Sequence, residues 1–158
     1  MKNRFVSNLL LTLVWVALTG NFNFANYLFG FVLSFIILRV ITRGSGTAKY
    51  FTIVPKIIIF ILYFFYELIK ANLQVAYEVI TPHYRMKPGI VKIPLDVQSN
   101  IGITLLANLI SLTPGTLSLD VSNDRKVLYV HAMYINDRQE FIDSIKNGFE
   151  KRILEILR

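Results

Sequence analysis

Three apolar runs fill most of the first 80 residues, and together they direct the chain toward lipid. The first extends from Phe5 to Leu18 and is interrupted only by Ser7, Asn8 and Thr12. The second runs from Tyr27 to Ile41, with Ser34 in its interior and Arg39 near its end, and the third from Pro55 to Ile80, closed by Pro82. Lys2 and Arg4 precede the first run in the manner of a signal peptide or signal anchor. Leu18-Thr19 makes a poor cleavage site and a second run follows at once, so a retained anchor is expected.

Between the first two runs, Gly20-Asn21-Phe22-Asn23-Phe24-Ala25-Asn26 is uncharged and rich in turn formers, which makes the pair a helical hairpin. A full crossing takes ~20 residues, and each arm reaches that only by borrowing from the turn. Such short arms predict a thinned bilayer or neighbouring helices. Helices are expected over about residues 4–20, 26–42 and 54–80, with Pro55 in the first turn of the third. Arg43-Gly44-Ser45-Gly46-Thr47-Ala48-Lys49 reads as a basic juxtamembrane linker. Its Gly-x-Gly lacks the preceding strand and the Gly-x-x-x-x-Gly-Lys spacing of a phosphate loop.

Placed at ~100° intervals, residues of the third helix bring Lys56, Tyr63, Glu67, Lys70, Gln74, Glu78 and Thr81 onto one narrow stripe. The helix either spans the bilayer, or lies in its interface and leaves both termini on one side. Two or three spans are therefore open.

Charge follows the same division. The net charge is +7, with seven Lys/Arg against two Glu before Pro82 and ten Lys/Arg against eight Asp/Glu after it. Cations beside hydrophobic runs fit the positive-inside bias better than nucleic-acid binding, and the bias mildly favours a cytoplasmic C-terminal domain. The chain has no Cys, which excludes a disulfide framework, a thiolate metal site and a cysteine nucleophile.

After Pro82 the periodicity changes, and residues 88–158 read as a small α/β domain beside a membrane domain of residues 1–81. Ile90 to Val97 carries its apolar residues at odd positions, with Pro94 marking an edge strand. Ile101 to Leu112 is too short to cross a membrane and is expected as a buried domain helix. Thr116 to Val121 and Val127 to Tyr134 form a hairpin around a longer loop. Asn136 or Asp137 then caps a terminal helix with Glu140 as capping-box partner and Phe141, Ile145, Phe149, Ile153 and Ile156 as its apolar stripe. The order is β-α-β-β-α, a sheet with helices on one face burying all these stripes.

Several residue patterns at this point match a known family. Leu9 to Leu18 (LLLTLVWVAL), Phe29-Gly30-Phe31 and above all Ile103 to Ser118 (ITLLANLISLTPGTLS) resemble the E subunit of the Mrp-type (Mnh, Pha) multisubunit cation/proton antiporters, and the likeness covers the whole length. The resemblance implies a multi-pass member of a bacterial plasma-membrane complex that couples Na+ efflux to H+ influx. It implies other antiporter subunits and the bilayer as partners, no nucleic acid, no cofactor and no catalytic residue, and a role in sodium and pH homeostasis.

Site chemistry in the residues themselves is sparse. Ionisable groups at membrane depth are costly unless used, and the interiors of the first two runs hold none, Arg39 lying at an end. Asn8, Thr12, Thr19 and Ser34 suit packing between helices. Glu67, Lys70 and Glu78 are candidates for an ion path or a subunit contact, with Glu67 and Lys70 also forming an ordinary i,i+3 pair. Thr113-Pro114-Gly115-Thr116 is a helix stop and strand start, and a candidate subunit contact. His83 and His131 are expected to be structural, since no third metal ligand accompanies them. Ser111, Ser118, Asp120 and His131 lack the elbow of a hydrolase. A non-catalytic accessory subunit is the expectation. The alternative is a membrane-anchored binding or regulatory module in which the α/β domain acts.

Overall fold

The computed structural model describes residues 2–42, 49–81 and 86–157. Arg43 to Ala48 of the expected linker and the Pro82-His83 turn lie outside the described residues. The chain forms two compact units, Met1–Pro55 and Lys56–Arg158.

The first unit is built on the hairpin of α1 (Lys2–Thr19) and α2 (Phe24–Ile41). Gly20 takes a left-handed φ of 63°, which stops α1 without a Cβ penalty. Asn23 caps α2 by accepting from the Asn26 N–H. Asn26 then ties the turn together: its Nδ2 donates to Thr19 Oγ1 and the Asn21 carbonyl, and its Oδ1 accepts from Trp15 Nε1 at 3.0 Å. An uncharged turn thus satisfies its polar groups internally, as a turn near lipid must. Gly30 lets the helices meet closely, since a Cβ there would stand 2.8 Å from Trp15 Cδ1. The other faces expose Leu10, Val14, Phe29 and Ile36.

The third helix, α3 (Lys49–Ile80), begins earlier than the expected residue 54 and carries Pro55 in its interior. Proline favours a first turn because it has no N–H to offer the carbonyl four residues back. Packing overrides that preference here: Tyr50, Phe51 and Ile53 are buried, with Phe51 and Tyr50 clustered on Leu38 and Phe35. Pro55 is also the last residue of the first unit.

The second unit holds the rest of α3 and the sheet domain. Strands β1 (Gly89–Pro94), β2 (Thr116–Val121) and β3 (Val127–Ala132) form an antiparallel sheet in the order β1-β3-β2, so Pro94 does end an edge strand. Helix α4 (Asn100–Leu112), capped by Ser99 through the Gly102 N–H, covers one face. Val91, Ile93, Leu128 and Val130 of the sheet meet Leu106 and Ile110 of α4 in the core.

The expectation that the sheet buries every apolar stripe needs correction at β2. Leu117 and Leu119 are about half exposed, while Thr116 and Ser118 face α4 and donate to the Ile110 and Ala107 carbonyls. A register shift between Ser118 and Asp120 sets Leu119 out of the ladder and returns Val121 to the inner face opposite Leu128.

The terminal helix is also interrupted. Helix α5 (Arg138–Ile145) passes through a π-helical turn, Lys146–Glu150, into α6 (Lys151–Leu157). Phe141, Ile145, Phe149 and Ile153 recur every fourth residue, a spacing that drifts ~40° per step around an α-helix. One wide turn absorbs the drift and returns the stripe to the core, which holds Ile145, Phe149 and Ile153.

Candidate functional site

Helix α3 from Lys56 onward packs against the sheet domain along one face. Phe60 is buried in the domain core, with Tyr63 and Phe64 packed against it, and Lys56 Nζ donates to the Glu155 carbonyl. The π-turn makes the fit at Tyr63: a Cβ at Gly148 would stand 2.6 Å from the phenol oxygen. A π-turn also shifts the hydrogen-bond ladder by one residue and leaves carbonyls short of partners. Arg152 Nη1 donates to the carbonyls of Asn147 (3.1 Å) and Gly148 (2.8 Å) while its guanidinium lies over the Tyr63 ring.

Beyond this contact, α3 and the sheet domain border a cleft of about 340 Å³. One wall is Tyr63, Glu67, Lys70 and Gln74; the other is the turn Thr113-Pro114-Gly115-Thr116, with Tyr134, Asp137 and Glu140 at the sides. Two candidate groups some 45 positions apart in sequence are therefore neighbours. Lys70 Nζ lies 3.7 Å from Glu67 Oε2, with the lysine mostly exposed and the glutamate mostly covered. The Glu67 carboxylate also lies beside the Tyr63 phenol.

The opposite wall is self-contained. Thr113 Oγ1 donates to the Leu109 carbonyl, Thr116 Oγ1 to the carbonyls of Ile110 and Thr113, and Gly115, with φ 86°, accepts from the Met133 N–H. Only a residue without Cβ holds that angle cheaply. Asp137 caps α5 by accepting from the Gln139 and Glu140 N–H groups, so Glu140 takes part through its backbone.

Glu78 does not line the cleft. It is buried, and its charge, after burial itself, helps push the Tyr134 phenol above its ordinary pKa. His131 lies in β3, and among the described residues no group of three or more His, Cys, Asp or Glu side chains is arranged to hold a metal ion. Ser111 Oγ accepts from the Ser118 N–H, a role in the α4–β2 corner.

One polar network has no counterpart among the sequence patterns. The Glu150 carboxylate, 1% exposed, accepts from the N–H groups of Asp96 (2.7 Å) and Val97 (3.1 Å) and from Lys146 Nζ (3.2 Å). Lys146 bridges onward to Asp96 and to the Pro94 carbonyl. The i,i+4 spacing of Lys146 and Glu150 is the only signal the sequence offers, and such pairs usually sit in water.

A short apolar hairpin, a long helix covered on one side only and a small α/β domain describe a component of a membrane complex. The chain belongs to the Na+/H+ ion antiporter subunit family, whose pattern it matches over residues 8–156. It is 37% identical over 158 residues, all of both chains, to the E subunit of the Na+/H+ antiporter of Alkalihalophilus pseudofirmus. Among solved structures it resembles a chain of the Mrp complex from Dietzia sp., with 31% identity and a TM-score of 0.50 over 65% of this chain and 96% of that one. It also resembles a chain of the membrane-bound sulfane sulfur reductase, an archaeal respiratory membrane complex, with 29% identity and a TM-score of 0.56 over 97% and 98%.

Proposed function

We propose that this chain is the E subunit of a multisubunit antiporter in the bacterial plasma membrane, where the complex exchanges Na+ for H+ and this subunit assembles and braces it without catalysing a reaction. The full-length match to an antiporter's E subunit carries this reading. The cleft is the place where a partner subunit meets the sheet domain. Glu67 and Lys70 offer it a charged edge, and Thr113 to Thr116 a rigid turn whose hydroxyls are already satisfied. Glu67, Lys70 and Glu78 act as contact and structural groups rather than as an ion path, because Glu67 and Lys70 pair with each other and Glu78 lies buried beside Tyr134. The sheet domain faces the cytoplasm, in keeping with Lys2, Arg4, Arg39 and Lys49 flanking the apolar runs.

Affinity purification of the tagged chain from native membranes should recover several other hydrophobic subunits, and its deletion should abolish Na+-dependent proton movement in everted vesicles. Antiport that survives the deletion, or exchange carried out by this polypeptide alone in liposomes, would refute the reading.

A further inference from the structure

Helix α4 is apolar on the side that leaves the sheet domain as well as on the side that joins it. Its inner side puts Ile103, Leu106 and Ile110 into the core. On its outer side Ile101, Leu105, Asn108 and Leu112 recur at i, i+4, i+7 and i+11, all within about 60° of arc. Ile101 is 76% exposed and Leu112 61%. A helix on the surface of a domain turns charged and polar residues outward, as α5 does with exposed Arg138, Glu140 and Asp143. From Asn100 to Leu112, α4 has no charged residue at all. Arg125, which reaches it from the β2–β3 loop, is tied to Asn100 Oδ1 at 2.6 Å.

The spacing is that of a seam between two packed helices, and a single Asn in such a seam fixes register at some cost in stability. Lipid fits this face poorly. An interfacial helix holds itself to the bilayer with Lys and Arg along its polar side, and α4 has neither. Acyl chains would also leave the Asn108 amide unpaired, since among the described residues it has no hydrogen-bond partner. A second copy of the chain falls short on area. A stripe about 20 Å long and 10 Å wide covers about 200 Å² face-on, a fraction of the ~800 Å² per partner that a stable two-chain interface needs. The occupant is therefore held against α4 by the rest of an assembly.

We propose that the outer side of α4 receives a helix of a neighbouring subunit, apolar toward Ile101, Leu105 and Leu112 and bearing an amide or hydroxyl side chain that pairs with Asn108 and sets the register. The proposal rests on the multisubunit reading above.

The chain has no native cysteine, so Leu105→Cys, Asn108→Cys and Leu112→Cys variants of the full chain, assembled in its complex in native membranes, can each carry one benzophenone maleimide. Irradiation should join each of them to the same other subunit, within a single helical segment of it, and Asp143→Cys on the charged side of α5 should give no such adduct. Should one cysteine variant fail to assemble, the remaining ones carry the same reading. Adducts only with lipid, adducts only with this same polypeptide, or no adduct at all overturn the proposal. Equal yield from Asp143→Cys shows proximity without packing and also overturns it. Copurification of other hydrophobic subunits with the tagged chain, measured on the same membranes, keeps the multisubunit reading standing in each of those cases, whereas its loss in the native chain refutes that reading instead. Asn108→Leu combined with Leu112→Cys tests the register: the adduct should persist but spread over more than one turn of the partner's helix. A site as sharp as with Asn108 in place overturns the pairing assigned to its amide.

Discussion

The Arg152 guanidinium lies 3.6 Å from the centre of the Tyr63 ring, joining the terminal helix to α3. Tyr63 supplies both the ring under that cation and an edge contact to Phe149 at 5.4 Å, so the ring carries more of the join than the hydroxyl. Tyr63→Phe should change the stability of the full chain in detergent by less than about 1 kcal/mol, whereas Tyr63→Ala should cost about 3 kcal/mol through lost packing and the lost cation–π contact. Denaturant midpoints of the two variants test this, and equal losses would count against the ring as the anchor.

Gly148 makes room for the same side chain. A methyl at this position meets the phenol oxygen at 2.6 Å but the carbon bearing it at an ordinary 3.5 Å. Gly148→Ala should therefore destabilise by about 1–3 kcal/mol although alanine is the better helix former by about 1 kcal/mol. Adding Tyr63→Phe removes the clashing atom and should restore stability to at least the starting level, a coupling that a double-mutant cycle reads directly.

The stripe of Phe141, Ile145, Phe149 and Ile153 predicts one unbroken terminal helix, and the structure departs from that with a π-turn, because a repeat of four residues drifts around a plain α-helix. The hairpin turn, the Asp137 cap and the edge position of Pro94 are readable because each depends on neighbours in sequence. Pro55 misleads because burial of Tyr50, Phe51 and Ile53 outweighs the local preference of proline for a first turn. Leu117 and Leu119 mislead for a related reason: hydroxyl bonds from Thr116 and Ser118 to α4 decide which side of β2 faces inward. Nothing in the sequence brings Glu67 and Lys70 opposite Thr113 to Thr116, since only the docking of α3 on the domain does so.

The buried Glu150 carboxylate stitches the end of β1 to the π-turn. Removing it strands the Asp96 and Val97 N–H groups and takes a partner from Lys146. Glu150→Ala should cost about 3 kcal/mol or more. Glu150→Gln keeps one acceptor for the backbone but not the charge, and should cost less. Hydrogen exchange should show the Asp96 and Val97 amides losing protection in the alanine variant first.

Lys146 gives this network a pH dependence. Burial disfavours its ammonium, but hydrogen bonds to Asp96 and Glu150 outweigh burial and hold its pKa above the ordinary 10.5. Because the folded value lies above the unfolded one, its contribution is complete below 10.5 and fades as pH rises through the folded value. Unfolding midpoints should therefore fall more steeply above pH 10.5 in the native chain than in Lys146→Gln. Parallel curves would show that the ammonium is not the group responsible.

In the hairpin unit the decisive polar contact is between Asn8, fully buried, and Tyr50, whose hydroxyl accepts from Asn8 Nδ2 at 2.9 Å. Asn8 Oδ1 has no partner among the described residues, and Thr12 is already bonded to the Asn8 carbonyl. The Asn8 amide thus depends on Tyr50. Hydrogen bonds between helices in a membrane average about 0.6 kcal/mol and reach about 1.7, since the separated helices find other partners. Full burial places this one toward the upper end, so Tyr50→Phe should weaken the packing of α3's first turns on the hairpin by about 1 kcal/mol. Asn8→Leu added to Tyr50→Phe removes the orphaned amide together with its lost acceptor and should recover most of that loss, because apolar pairs of similar volume replace buried polar ones at little cost. Detergent-denaturation midpoints of the two variants separate the outcomes: recovery marks the bond as a register device for the hairpin unit, and a further loss in the double variant would mean that Asn8 has another partner.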